Sequence, residues 1–293
     1  MRKLVCALAV AVAAAGMAAG PAAAAPAPAA EAPRAAVTCG TGVPVATTGG
    51  YRVLLHCPGV GYVSGAGTTA ADADTRARAL ANTSAATGRA CTTGAVNTTT
   101  GGYLAVVECG GLPWVFGKGT TLTDAAYLAH LQASDAMSSG KVCSTGTTNT
   151  TPGGYLAAIE CTGLDWLIGR GTTLTEAALF ARALAVDALA SGRPCSSRSS
   201  LATTGGFQSD LECRTFTGSL RVLAVGTTLT DAASESRVLA INSLATGRVC
   251  STVGNVAVPA GYRVTLNCGS GPWASGEGPT LSEAARVARG NAY

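Results

Sequence analysis

The chain has 293 residues, of which 12% are charged and 5% aromatic, with 38 glycines and a formal net charge of +4. This composition excludes a core of bulky side chains, and the near-balanced charge excludes the clustered basic face that nucleic-acid binding demands. Nothing in the motifs calls for a cofactor.

Residues 1–25 are expected to be a signal peptide. Arg2 and Lys3 form a positive start, and Leu4 to Ala15 form an apolar run too short to span a bilayer. Small residues between Ala22 and Ala30 offer several A-x-A cleavage sites. Loss of Arg2 and Lys3 lowers the net charge by two. Cys6 opens the apolar run, whereas a lipoprotein cysteine would follow it, so Cys6 is expected to leave with the signal. Residues 26–38 continue an Ala/Pro-rich stretch (PAAAAPAPAAEAP, Pro21 to Pro33) whose composition favours a disordered leader. No later stretch is long and apolar enough for a membrane anchor, so the expectation is a secreted, extracellular protein. Lysine occurs three times and arginine supplies the remaining basic residues, a bias that suggests a GC-rich bacterial coding sequence.

Ten further cysteines follow: Cys39, Cys57, Cys91, Cys109, Cys143, Cys161, Cys195, Cys213, Cys250 and Cys268. Their separations alternate between 18 and 34, with one step of 37 after Cys213. In an exported chain an even count at regular spacing implies a disulfide framework. The 18-residue step never varies while the other grows. A bond resists insertion inside its own loop, so the expected pairs are Cys39 with Cys57, Cys91 with Cys109, Cys143 with Cys161, Cys195 with Cys213 and Cys250 with Cys268. The rival scheme joins 57–91, 109–143, 161–195 and 213–250 and closes the ends with 39–268.

Between each expected pair lies a turn signal: TTGG at 47–50, TTTGG at 98–102, TPGG at 151–154, TTGG at 203–206 and PAG at 259–261. Folding there makes a hairpin with its cysteines opposite each other at the open end. The second strand then alternates, with Tyr51-Val53-Leu55, Tyr103-Ala105-Val107, Tyr155-Ala157-Ile159, Phe207-Ser209-Leu211 and Tyr262-Val264-Leu266 on the buried face, each strand ending at its cysteine. The opposite face is mixed and more polar. A short third strand carries an aromatic residue at Tyr62, Trp114, Trp166 and Trp273. The fourth copy has Arg221 there and three extra residues near Arg214 to Thr217. A helix begins at a T-x-x-[DE] capping box in every copy: Thr69/Asp72, Thr121/Asp124, Thr173/Glu176, Thr228/Asp231 and Thr280/Glu283. Leu174, Ala178, Ala181, Ala185 and Ala188 form a stripe for close packing on the sheet. Gly88, Gly140, Gly192 and Gly247 are expected to end the helices.

The expected fold is therefore α+β: five tandem β-β-β-α repeats of about 52 residues, each with one disulfide. They span 39–90, 91–142, 143–194, 195–249 and 250–293. Only two residues separate each helix-ending glycine from the next cysteine, so neighbouring repeats must touch. A stack and a closed five-fold ring both satisfy this. In element count and order, Cys39 to Tyr293 resembles the α/β-propeller of the pentein superfamily, up to circular permutation. That resemblance implies a ring. The cysteine nucleophile of catalytic penteins has no counterpart, because every mature cysteine is assigned to a bond.

Four features are candidates for chemistry. The G-x-G-T-T turn (Gly117 to Thr121, Gly169 to Thr173) precedes a helix, where glycine can cradle an anion. The acid that follows occupies that dipole, so a turn with a cap is the expected role. The turn also resembles the end of double-stranded RNA-binding domains, but Leu-Thr-Asp/Glu replaces their helix-start lysines. His56, Glu108, Glu160 and Glu212 (Asn267 in the fifth copy) precede each second cysteine; if a ring closes, they converge and could hold a metal or a cationic ligand. His56 and His130 are the only histidines and have no recurring Ser or Asp partner. Tyr62, Trp114, Trp166 and Trp273 are either core residues or platforms for sugars and side chains. The expected function is a secreted, non-enzymatic repeat protein binding an extracellular glycan, cell-wall component or protein. The alternatives are a protease inhibitor that uses a hairpin turn as bait, and an enzyme with a site at a repeat junction.

Overall fold

Three strands and a helix recur five times in the computed structural model, which describes residues 37–293 apart from Ser270. The expected signal peptide and all but the last two residues of the leader lie outside the described residues. The first repeat holds β1 (Val43–Thr47), β2 (Gly50–Cys57), β3 (Gly61–Gly67) and α1 (Ala70–Thr87). The second holds β4 (Cys91–Thr99), β5 (Gly102–Cys109), β6 (Val115–Gly119) and α2 (Leu122–Ser139). The third holds β7 (Cys143–Thr151), β8 (Gly154–Cys161), β9 (Leu167–Gly171) and α3 (Leu174–Ser191). The fourth holds β10 (Cys195–Thr203), β11 (Gly206–Thr215), β12 (Gly218–Gly226) and α4 (Leu229–Thr246). The fifth holds β13 (Ser251–Val258), β14 (Gly261–Asn267), β15 (Ala274–Gly278) and α5 (Leu281–Ala292).

Each repeat makes its own three-stranded antiparallel sheet in chain order, with its helix packed on the second and third strands. The cysteines pair as the constant 18-residue spacing implies: Cys39 with Cys57, Cys91 with Cys109, Cys143 with Cys161, Cys195 with Cys213 and Cys250 with Cys268. In repeats 2, 3 and 4 they stand directly opposite in the strand register. The end repeats depart from the expected strand bounds. In the fifth, β14 stops at Asn267 instead of at its cysteine, and the last register pair is Ser251 with Asn267. Cys250 and Cys268 lie one position beyond that pair, with Cα atoms 4.0 Å apart. In the first, Cys39 lies ahead of β1, which begins at Val43. The covalent bond itself holds the open end of the hairpin, so the hydrogen-bonded ladder need not reach it. A loop of that length contributes roughly 3 kcal/mol per bond by constraining the unfolded chain. That help matters in a core built mainly of alanine and leucine.

The helix ends follow the sequence signals. Thr69, Thr121, Thr173, Thr228 and Thr280 are N-caps, each accepting from the backbone N–H of the acid three residues on. Gly88, Gly140, Gly192 and Gly247 close four helices in the left-handed conformation, with φ between 68° and 71°. The G-x-G glycines serve packing. A Cβ on Gly169 would overlap the backbone of Ala181, and one on Gly171 the backbone of Glu176 and Ala177. Their bare Cα atoms therefore let α3 lie directly on β9. Leu174, Ala178, Ala181, Ala185 and Ala188 are all buried.

All substantial packing between repeats joins consecutive ones, and each junction reuses three contacts. First, an aromatic ring at the start of a second strand lies over the turn glycine of the preceding repeat: Tyr103 on Gly49, Tyr155 on Gly101, Phe207 on Gly153 and Tyr262 on Gly205. Tyr51, which lies over no turn glycine among the described residues, is 41% exposed, so the expected buried face is complete only from the second repeat onward. Second, hydroxyls bridge the helix starts. Thr175 Oγ1 accepts from the backbone N–H of Thr120 and donates to Asp124 at 2.9 Å; Thr123, Thr230 and Ser282 do the same at the other junctions. Third, the residue after each first cysteine uses its hydroxyl to accept a backbone N–H from the preceding third strand. These pairs are Thr92 with Ser64, Ser144 with Phe116, Ser196 with Ile168 and Ser251 with Leu223.

Candidate functional site

The third-strand aromatics are surface groups and not the core. Tyr62 is 72% exposed, Trp114 60%, Trp166 48% and Trp273 68%. For the three tryptophans the reason is local. Trp114, Trp166 and Trp273 lie just before β6, β9 and β15, where the loop leaves the sheet, and only Tyr62 lies within its strand. The apolar interior is filled instead by the helix alanines and by leucines such as Leu80, Leu184 and Leu239.

Two of these rings border grooves between repeats. Between repeats 2 and 3 a groove of about 720 Å³ is lined by Trp114, Phe116, Ser144, Gly146 and Glu160, among others. Between repeats 3 and 4 the equivalent groove, about 610 Å³, is lined by Asp165, Trp166, Ser196, Arg198, Glu212 and Arg214, among others. Each tryptophan thus lines one groove together with the pre-cysteine carboxylate of the following repeat. Sequence spacing treats these as two separate classes of residue; the junction turns them into one site.

The carboxylates differ in state. The Glu160 carboxylate makes no hydrogen bond or ion pair among the described residues, and Lys141 places its ammonium near Gly163 at the edge of the same groove. Glu212 is held by Arg198 at 2.9 Å. Asp165 is held by Arg214 of the following repeat. Glu108 lies over Gly94 of its own repeat, and His56 packs beside Tyr62 with ring centroids 5.0 Å apart. The expected metal set of His56, Glu108, Glu160 and Glu212 is therefore distributed one residue to a repeat. Among the described residues no three His, Cys, Asp or Glu side chains stand close enough to share an ion.

Charged side chains of the third strand brace the groove floors from behind. Lys118 Nζ donates to the carbonyl of Gly146, and Arg170 Nη2 donates to the carbonyl of Arg198 at 3.0 Å. Both acceptors sit in or beside the register shift of the next repeat's first strand, between Thr145 and Thr148 and between Ser197 and Ser199. Burial pushes the pKa of both cations down, and for Arg170 nearby Asp210 partly offsets this. Arg170 also donates to Thr151 Oγ1 at 2.8 Å and to Ser200 Oγ at 3.3 Å.

The fourth repeat departs most. Its three extra residues lengthen β11 and β12 into one continuous hairpin, paired from Phe207 with Gly226 to Thr215 with Gly218. Arg221, in the aromatic position, instead grips Asp210, which is 2% exposed, at 2.6 Å. Phe216 projects from the tip with the Arg193 guanidinium 4.8 Å from its ring centre. Arg198 and Asp165 were not singled out by motif. The available signal was positional: Arg198 replaces Gly94 and Gly146 of the earlier copies. His130 lines neither of these two grooves; its Nε2 lies 2.8 Å from Thr83 Oγ1 between α1 and α2. No known protein-family model matches the chain, and no curated protein matches it.

Proposed function

We propose that the protein is an exported, non-enzymatic binder of an extracellular glycan, which it holds along a row of junction grooves on an open stack of repeats. The observation that carries this reading is the pairing of an exposed indole with a carboxylate and hydroxyls in consecutive grooves. A flat aromatic face covers the C–H surface of a pyranose, while acids, hydroxyls and main-chain carbonyls satisfy its ring hydroxyls. Five disulfides suit an oxidising compartment. Among the described residues no helix is long and apolar enough to cross a membrane.

The open stack is supported by what the terminal repeats lack. The first repeat has Gly40 where later repeats place the hydroxyl that caps a neighbouring strand, and Ala71 where they place Thr123, Thr175, Thr230 or Ser282. The fifth repeat has Pro279 in place of the Thr68, Thr120, Thr172 or Thr227 that pairs with those hydroxyls. It also has Ala260 where the next ring would need a bare turn glycine. A ring would bring these two deficient faces together with none of the three junction contacts. End repeats altered on their outer faces are what an open array requires.

The bait-loop alternative has less support, because in the first four repeats the turn glycine lies beneath the next repeat's ring. The test is co-sedimentation with insoluble polysaccharides and titration with soluble oligosaccharides. Trp114→Ala and Trp166→Ala should each weaken binding by roughly 2- to 10-fold, as an aromatic contact of 0.5–1.5 kcal/mol implies. Affinity unchanged in both variants refutes the platform. Shortening of the bound glycan during incubation would move the protein into the enzyme class.

A further inference from the structure

The groove between repeats 3 and 4 differs from its neighbour chiefly in arginine. Arg198 stands where repeats 2 and 3 have Gly94 and Gly146, Arg214 where they have Gly110 and Thr162, and Arg221 where they have Trp114 and Trp166. The lengthened hairpin of β11 and β12 supplies a wall through Arg214, Thr215, Gly218 and Ser219 that the groove between repeats 2 and 3 lacks. Both lining guanidiniums are well exposed, Arg198 at 57% and Arg214 at 71% of the side chain. Each is held at Nη1 by a carboxylate, Glu212 for Arg198 and Asp165 for Arg214. A guanidinium carries five N–H donors, so one such contact leaves most of them available. Arg221, directly across the strands from Glu212, is occupied by buried Asp210. Arg193 has no carboxylate partner among the described residues and lies over Phe216. The groove lining thus carries two guanidiniums, Arg198 and Arg214, beside the carboxylates of Asp165 and Glu212, with Arg193 close by over Phe216, whereas the lining of the other groove holds Glu160 and no arginine.

We propose that this groove binds the carboxylate-bearing residue of an acidic polysaccharide, a uronic acid, an assignment that rests on the glycan reading above. Trp166 stacks on the pyranose ring, and Arg198 and Arg214 donate to the sugar carboxylate. Guanidinium matches a planar carboxylate with parallel N–H donors, which lysine cannot do. Glu212 and Asp165 orient the two arginines before the ligand arrives, so less side-chain freedom is lost on binding. The groove between repeats 2 and 3, with Trp114 and Glu160 and no arginine, receives an uncharged residue of the same chain.

The experiment titrates the exported protein with an oligogalacturonide, with its methyl ester (the same backbone without charge) and with poly-glutamate of equal charge. All titrations use about 0.15 M salt, to screen long-range attraction. The proteins are wild type, Arg198→Gln/Arg214→Gln and Trp166→Ala, with melting curves confirming that each is folded. The wild type should bind the acid at least about tenfold more tightly than the ester, a difference of about 1.4 kcal/mol. The double variant should bring the acid down to the ester's affinity, and Trp166→Ala should weaken both. Equal binding of acid and ester by the wild type, or a preference that survives in the double variant, overturns the uronate site and leaves the glycan reading standing. Failure of every oligosaccharide to bind overturns both. Poly-glutamate binding as tightly as the oligogalacturonide, with the same dependence on Arg198 and Arg214, assigns the groove to acidic peptides and overturns the proposal.

Discussion

Single residues do two kinds of work in this protein, and glycine shows the contrast. Gly169 exists to let a helix backbone touch a strand, while Gly101 lets the Tyr155 ring lie over a turn at φ 82°. Gly169→Ala should destabilise the protein by about 1–3 kcal/mol, because the added methyl meets main-chain atoms of Ala181 that cannot rotate away. Repeat 4 already carries a buried alanine, Ala224, at that position, so α4 and β12 are spaced to hold a methyl. Ala224→Gly should therefore also destabilise, by about 0.5–1 kcal/mol through backbone entropy. Chemical denaturation of the two variants checks the pair. A neutral Gly169→Ala would show that the strand and helix are not in the contact described. Among the tryptophans, exposure rather than identity decides their role, and exposure depends on a loop that leaves the sheet one residue early.

At the scale of elements, the junctions are held by short polar bridges laid over an alanine seam. Thr175→Ala removes the acceptor for Thr120 N–H and the donor to Asp124, and should cost about 1 kcal/mol, since both groups are partly open to water. Ala71→Thr should give no comparable gain, because among the described residues no neighbouring helix start lies on that side to bond the new hydroxyl; melting temperatures measure both. Between the helices, Arg182 pairs with Asp135 and Arg237 with Asp187 at 2.6–2.7 Å. The α1–α2 junction has His130 against Thr83 instead. Burial first, and the charge of Arg76 second, push the His130 pKa below its ordinary value. The folded state therefore prefers neutral imidazole, and the unfolded chain binds the proton more readily. The resulting stability is fully present above about pH 6.5 and declines as pH falls through the lowered folded value. His130→Gln should flatten that part of the pH–stability profile, and an unchanged slope would remove His130 as its source.

For the whole molecule the decisive feature is asymmetry between ends. The interior interfaces are heterologous, a surface that would propagate into a filament unless its termini were altered. Restoring the missing groups with Gly40→Ser, Ala71→Thr, Ala260→Gly and Pro279→Thr should make the two ends complementary and produce head-to-tail oligomers. Sedimentation across a concentration series reads the result. A variant that stays monomeric would show that these positions do not control association.

Much of this was legible in the amino-acid order, because the strongest signals are local. A constant cysteine spacing closes a hairpin, Gly-Gly turns it, alternation sets the buried face, and Thr and Gly begin and end each helix within a few residues of one another. Strand ends were less legible: Cys250 and Cys268 are bonded as their spacing implies, yet both stand just outside the ladder they close. The site was not legible, because its parts come from different repeats. Trp166 and Glu212 are 46 positions apart in the chain and meet only when one sheet lies beside the next. Arg198 belongs to no motif, and the bulge of β10 and the lengthened hairpin place it in a groove. The chain order alone determined what each repeat is, since hydrogen bonds, caps and disulfides within a repeat depend on near neighbours. Only the tertiary structure decided which side chains face one another across junctions, because that depends on how far each loop departs from its sheet and on what the neighbouring repeat leaves uncovered.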